Sequence, residues 1–368
     1  MPKIKNVRSY KKMKNKKVLV IAAVAVVLVI AVVLAVVLLG GEKPAAEKEY
    51  KLGMGVQFGD LTNAQINATV ATVVLDDAGK IVLCRIDTVQ NKFAADEEGV
   101  SFSNLKTKME LGYDYNMSKF GHSLVGNETV KEWFEQAKAF ESWVVGKTAN
   151  EVKNMKLQTM DNGYVIADEK DLLDAGCTIS IEEFRDAVVK ACNDEQGTSF
   201  KTSETFTLGV AATSADNGST LGEEGGYTVK MNVDFAASVV AGGKILASLN
   251  DAMQPQVVVD AEGNVTSKSV GKGEGILKTK RELKEDYKMA AFGTSLVGNA
   301  KATEWYIQSA AFSAHIAGMT ADQVKGMPTK TMDNGYVISG DQTLIDAGCT
   351  MQITGIQAVV VKSVTNAR

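Results

Sequence analysis

Two threonines carry the hydroxyls best placed for chemistry in this sequence. Thr178 closes the run Asp174-Ala175-Gly176-Cys177-Thr178, and Thr350 closes Asp346-Ala347-Gly348-Cys349-Thr350. Glycine lets a bulky group approach the backbone closely, and amides at the start of a following helix can face a phosphate. The chemistry this suggests is the binding or attachment of a phosphorylated ligand at Thr178 and Thr350. Gly176, Gly348, Cys177, Cys349, Asp174 and Asp346 are the candidate neighbours. The plainer alternative is a packed strand end whose threonine bonds the backbone and whose cysteine is a small buried hydrophobe. Other chemistries have less support. The two histidines, His122 and His315, occupy non-equivalent positions, which argues against a repeated metal site or a histidine-assisted nucleophile.

Both threonines sit at the end of a duplicated stretch. Residues 106–178 and 278–350 align without a gap at a constant separation of 172 positions, with 40 identities in 73. Ahead of each stretch the chain is rich in β-branched residues. Ala71 to Leu75 and Ile81 to Ile86 flank Asp76-Asp77-Ala78-Gly79-Lys80 and predict a hairpin. The second copy offers Tyr227 to Phe235, then Gly242 to Leu246, with a further hairpin between Val257 and Val265. Within the duplication Thr107-x-x-Glu110, Thr279-x-x-Glu282, Thr148-x-x-Glu151 and Thr320-x-x-Gln323 match the capping box of a helix start. A longer helix is expected from about Glu128, its core stripe formed by Val130, Trp133, Phe134, Ala137, Phe140 and Val144. Ala302, Trp305, Tyr306, Ser309, Phe312 and Ile316 repeat that stripe. Asp161-Asn162-Gly163 and Asp333-Asn334-Gly335 predict tight turns with two positive φ angles. Ser180 is expected to cap a closing helix that runs to about Ala191.

Composition places these units outside a membrane. Residues 18–39 form an unbroken apolar run of 22, preceded by eight Lys and Arg and followed by Glu42. Such a run spans a hydrocarbon core of roughly 30 Å, and its flanking charges put the N-terminus in the cytoplasm. Removing the eight cations from the 40 basic residues leaves 32 against 44 acidic ones, so the rest of the chain carries about −12. Nucleic acid is not expected as a partner of so acidic a surface. Four cysteines are too few for a disulfide-built fold. The expected organisation is a basic tail (1–17), a transmembrane anchor (18–39), a tether (40–49), one α+β domain (50–192), a linker (193–205) and a second, homologous α+β domain (206–368).

The Lys-x-Glu-Leu-x-x-Asp-Tyr-x-Met helix start, the Glu-Trp-x-x-Gln helix and the closing Gly-Cys-Thr segment resemble the FMN-binding domain family. More closely, the anchored chain resembles the flavin-carrying electron-transfer proteins of Gram-positive cell surfaces. In that family a Ser/Thr-Gly-Ala-Thr motif carries FMN through a phosphoester on its last threonine, installed by a separate flavin transferase. The resemblance implies FMN at Thr178 and Thr350, held covalently or noncovalently, with electrons passing from a membrane donor to an external acceptor. Phe120, Phe292, Trp133 and Trp305 would be packing neighbours. Ala175 and Ala347 stand where the family has a hydroxyl residue, and Leu172 and Leu344 where it has an acid. Those departures keep open an alternative, a surface module of the same fold that binds a ligand or protein without flavin.

Overall fold

The computed structural model describes residues 46–368, apart from 121–129, 272–274, 293–296 and 298–301. The chain divides into two units, Met1–Glu47 and Lys48–Arg368, and every element below belongs to the second. The expected anchor at 18–39 and its basic tail lie outside the described residues. Among the described residues no helix is long and apolar enough to cross a membrane.

The first copy opens with four antiparallel strands, β1 (Lys48–Leu61), β2 (Gln65–Leu75), β3 (Ile81–Asp96) and β4 (Gly99–Asn104). The expected hairpin is β2 and β3, with Asp76 Oδ1 accepting from the Ala78 and Lys80 amides to close the turn. Strand β2 shows how the sheet is used. Ile66, Ala68, Val70 and Val74 enter one core, while Ala71, Val73 and Leu75 on the opposite face enter another. A strand buried on both faces reads as a continuous apolar run instead of a clean alternation.

Helices cover the outer face. After β4 come α1 (Lys108–Leu111), α2 (Met117–Phe120), α3 (Trp133–Trp143), α4 (Ala149–Lys153), the hairpin β5 (Leu157–Thr159) and β6 (Val165–Ala167), then α5 (Lys170–Asp174) and α6 (Glu182–Cys192). The apolar stripe of α3 packs as expected, with Trp133, Ala137, Phe140 and Val144 in the helix-side core. Val130 is buried but precedes the helix, which begins at Trp133. Glycine sets how closely α6 approaches β1. A Cβ on Gly53 would stand 2.1 Å from the Ala191 carbonyl oxygen, and one on Gly55 would stand 2.4 Å from that of Ala187.

Residues 193–205, expected as a linker, instead carry β7 (Thr198–Thr202), which pairs antiparallel with β1 at the edge of the first sheet. The second copy follows with β8 (Thr207–Asp216), β9 (Thr220–Leu221), β10 (Tyr227–Ala241), β11 (Lys244–Met253), β12 (Gln256–Val259) and β13 (Val265–Ser269). Its long central strand β10 pairs with β8 and β11 at one end and with β9 and β12 at the other. Then come α7 (Lys280–Leu283), α8 (Met289–Phe292), α9 (Trp305–His315), α10 (Ala321–Lys325), β14 (Thr329–Thr331), β15 (Val337–Ser339), α11 (Gln342–Asp346) and α12 (Thr354–Thr365). The α+β class is as expected.

The two copies do not stand apart like beads. Leu52, Met54 and Val56 of β1 share one core with Leu208 and Val210 of β8 and with Met231, Val233 and Phe235 of β10. The two sheets therefore face each other, and each copy places its helices on the outside. Polar contacts repeat across this junction. Lys190 pairs with Glu282 at 3.1 Å, and Lys362 with Glu110 at 2.7 Å, the same two positions with the copies exchanged. Arg281 binds both carboxylate oxygens of Asp194 at 3.1 and 2.9 Å, with both side chains buried.

Two local expectations need correction. The Asp-Asn-Gly turns close through Met160 N–H to Tyr164 O and Met332 N–H to Tyr336 O, both at 2.8 Å. Gly163 and Gly335 have positive φ but Asn162 and Asn334 do not. This is the three-residue hairpin loop in which a single left-handed glycine follows a right-handed turn. Helix α6 has Ile181 at its N-cap with no side-chain cap, so Ser180 does not start it. The four capping boxes of the duplicated stretch form as expected.

Removing one partner of a buried ion pair strands the other charge, which costs about 3–5 kcal/mol. Asp194→Ala should therefore lower unfolding stability by that order in urea titrations. Lys284→Ala, which breaks the exposed pair with Glu195, should change it by less than about 1 kcal/mol.

Candidate functional site

The Gly-Cys-Thr segments were expected where a strand meets a helix. They are the C-terminal ends of short helices. Cys177 N–H donates to Leu172 O and Gly176 N–H to Leu173 O, and Cys349 and Gly348 repeat both bonds to Leu344 and Ile345. This six-to-one and five-to-two pair is the Schellman motif, which requires a left-handed residue just past the helix. Gly176 and Gly348 supply it, at φ +83° and +93°. Leu172 and Leu344, standing where the resembling family has an acid, are fully buried and anchor these helices in the cores.

A buried glutamine then fixes each threonine. Gln136 Oε1 accepts from Thr178 N–H at 2.8 Å, and Gln308 Oε1 from Thr350 N–H at 2.9 Å. The other end of each amide donates to the main chain before its own helix, Gln136 to Lys131 O at 2.8 Å and Gln308 to Thr303 O at 2.9 Å. The glutamate of the same Glu-Trp-x-x-Gln stretch ties in the preceding helix. Glu132 accepts from Met117 and Ser118 amides, and Glu304 from Met289 and Ala290 amides. The motif is thus a clamp that holds three chain segments around one hydroxyl.

In the second copy Thr350 borders a cavity of about 450 Å³, lined also by Lys280, Tyr287, Trp305, Tyr336 and Gln352 among others. The Lys280 ammonium lies 5.2 Å from the Tyr287 ring centroid and 5.3 Å from that of Trp305, within the range of cation–π attraction. Tyr287 is oriented by its hydroxyl, which donates to Gln254 Oε1 at 3.0 Å. Burial pushes the Lys280 ammonium below its usual range, opposed by the Asp234 and Asp251 carboxylates. Gly355 makes room for one of those acids, since a Cβ there would stand 2.4 Å from Asp234 Oδ2. Asp251 accepts from the Arg281 and Ala252 amides, and burial raises its carboxyl to about 6.

The first copy has the same constellation. Lys108 Nζ lies 5.1 Å from the Tyr115 ring centroid and 5.8 Å from that of Trp133. Asp87 accepts from the Thr88 and Met109 amides and is likewise raised to about 6 by burial. Its threonine is less open. Thr178 is 7 % exposed. Lys131 donates to Ala175 O at 2.8 Å, and its stem crosses Gly176, where a Cβ would stand 2.6 Å from Lys131 Cε. Nothing stands within 4 Å of the equivalent point on Gly348.

The remaining candidates fall elsewhere. Cys177 and Cys349 are buried in the helix-side cores, and burial pushes both thiols up to about 12, so they act as hydrophobes. Asp174 pairs with exposed Lys170, and Asp346 accepts from Gln342 at 2.7 Å on an exposed helix face. Trp133 and Trp305 are buried in the helix-side cores, Trp305 also lining the second-copy cavity and Trp133 lying under Lys108, whereas the side chains of Phe120 and Phe292 lie outside the described residues. Among the described residues no three His, Cys, Asp or Glu side chains group to hold a metal. Sequence reasoning missed the lysine, the glutamine and the buried aspartate. The first two are identical in both copies, which was the available signal.

Replacing Gln308 with leucine should leave the Thr350 amide and the Thr303 carbonyl unpaired, at about 1–3 kcal/mol each. Faster hydrogen exchange at Thr350 N–H together with a lower melting temperature checks this. Asp87 and Asp251 predict a pH effect. Their folded carboxyls titrate near about 6 against an ordinary 3.8, so the folded state holds these protons more tightly than the unfolded chain. Their contribution is full below pH 4 and is lost as pH rises past 6, on the order of 3 kcal/mol per group. The Asp251→Asn variant should therefore show a smaller fall in urea midpoint between pH 4 and pH 7 than the parent.

No family profile matches the chain, and no solved structure matches it. The sequence is similar to a chlorophenol reductase of Desulfitobacterium hafniense, 31 % identical over 198 residues, an alignment that takes in 40 % of this chain and 58 % of that protein. The chain thus spans little more than half the length of that relative.

Proposed function

We propose that the chain is a membrane-anchored, outward-facing electron carrier that holds flavin mononucleotide at the Thr350 cavity. The observation that carries this reading is the cavity itself, which brings an alcohol, an ammonium and three aromatic rings to one hollow of ligand size. Such a set suits a planar aromatic system with an anionic tail. Lys280 would face the phosphate, Trp305, Tyr287 and Tyr336 would flank the ring, and the Gln352 and Asn334 amides offer polar contacts. Thr350 Oγ donates a hydrogen bond to Gln308 Oε1 at 3.4 Å, the same acceptor that holds its amide. Thr350 would take the phosphoester: a flavin transferase would move the flavin mononucleotide from flavin adenine dinucleotide to Thr350 Oγ, breaking the pyrophosphate bond, releasing AMP and passing the hydroxyl proton to solvent. The bound flavin would supply one- or two-electron redox chemistry. The chain's own part is to position it and to exclude water. Similarity to a protein named as a reductase supports a redox role.

A second reading applies to the first copy. Buried Thr178 and the Lys131 stem across Gly176 favour a module that holds no flavin and serves as a structural or ligand-binding partner.

The test is to co-express the full chain with a flavin transferase, denature it and follow flavin fluorescence. A covalent carrier keeps fluorescence on the polypeptide, the flavin maps to the Thr350 peptide, and Thr350→Ala loses it. Flavin that leaves on denaturation indicates noncovalent holding, and native protein without flavin rejects the proposal.

A further inference from the structure

A second cavity lies at the junction of the copies, and it shares no lining residue with the Thr350 hollow. Its origin shows when the copies are superimposed in register. In the first copy Glu141, buried on α3, accepts from Ile86 N–H at 2.8 Å and holds the Arg368 guanidinium at 3.0 and 2.9 Å, with Arg85 3.7 Å away. Arg368 follows α12 and so belongs to the other copy. At the matching positions of the second copy stand Ser313 for Glu141, Asn250 for Ile86, Leu249 for Arg85 and Gln196 for Arg368. An ion pair has been exchanged for shorter neutral side chains. What remains is a hollow of about 500 Å³ between β7, β11 and α9.

The lining defines what can enter. Leu246, Leu249, Ala310 and Ala314 give it apolar walls. Arg281 is its one charged residue, and that guanidinium is taken up by Asp194. Without an unpaired charge to meet it, an ion would be desolvated at a large cost. Asn250, 1 % exposed, donates through Nδ2 to Ser313 Oγ at 2.8 Å, while its Oδ1 has no hydrogen-bond partner. An acceptor left unpaired in this way costs about 1–3 kcal/mol, which a donor on an occupant recovers once the buried Asn250 side chain turns its oxygen toward the hollow.

We propose that this junction cavity binds a small neutral molecule carrying an N–H or O–H donor on an apolar body, read by Asn250. Benzamide is the probe and acetophenone its near-isostere without the donor, each titrated calorimetrically into the full chain. Benzamide should bind at least tenfold more tightly than acetophenone, and Asn250→Leu should remove the difference. The double variant Ser313→Glu with Gln196→Arg transplants the ion pair of the first copy. It should weaken benzamide at least tenfold and, because both residues border open space, tests the site even where Asn250→Leu fails to fold. Equal binding of the two probes, no heat from benzamide because the cavity holds water only, or full binding to the filled double variant would each overturn the proposal.

Discussion

Burial of both faces of two sheets is the constraint on which this structure rests. Each copy covers one face of its sheet with its own helices and has nothing of its own for the other face. The inner faces meet, and the residues that fill the gap come from both copies. Removing either copy would expose an apolar sheet face to water, so the pair is a unit of stability as well as a product of duplication.

That arrangement leaves the helix-side layer free to hold a site. The Glu-Trp-x-x-Gln stretch sits at the N-terminal end of α3 in the first copy and α9 in the second, with its tryptophan on the core and its glutamate and glutamine reaching to other segments. Both polar side chains are buried, and each has its partners on the main chain. Fully satisfied buried polar groups give direction without the cost of stranded ones. The threonine is therefore positioned by packing, and the lysine between two rings adds charge to a hollow whose other polar groups are neutral.

Comparison of the copies shows which features tolerate change. The carboxylate between sheet and closing helix is kept but comes from opposite sides. In the first copy Thr69 donates to Glu183, whereas in the second Asp234 reaches toward Gly355. The junction ion pairs Lys190 with Glu282 and Lys362 with Glu110 are kept in kind. The Arg368 and Glu141 pair is not kept, and its loss opens the junction cavity. Divergence after duplication has made two related places with different capacities.

Much of this was legible in the chain itself. The duplication, the α+β class, the capping boxes and the stripe of the long helix follow from local spacing, because each is set by residues within a turn or two of one another. The sequence also marked Gly176 and Gly348 as special, though for the wrong geometry. A left-handed glycine serves a helix end as readily as a strand bend, and only the partners of the neighbouring amides distinguish them. Other features depend on residues far apart in the chain. The glutamine lies 42 positions from the threonine it clamps, β7 returns from the supposed linker to an edge made more than a hundred residues earlier, and the two sheets share one core. No local pattern encodes which apolar face meets which, so the openness of Thr350, the cover over Thr178 and the hollow at the junction were decided by tertiary packing alone.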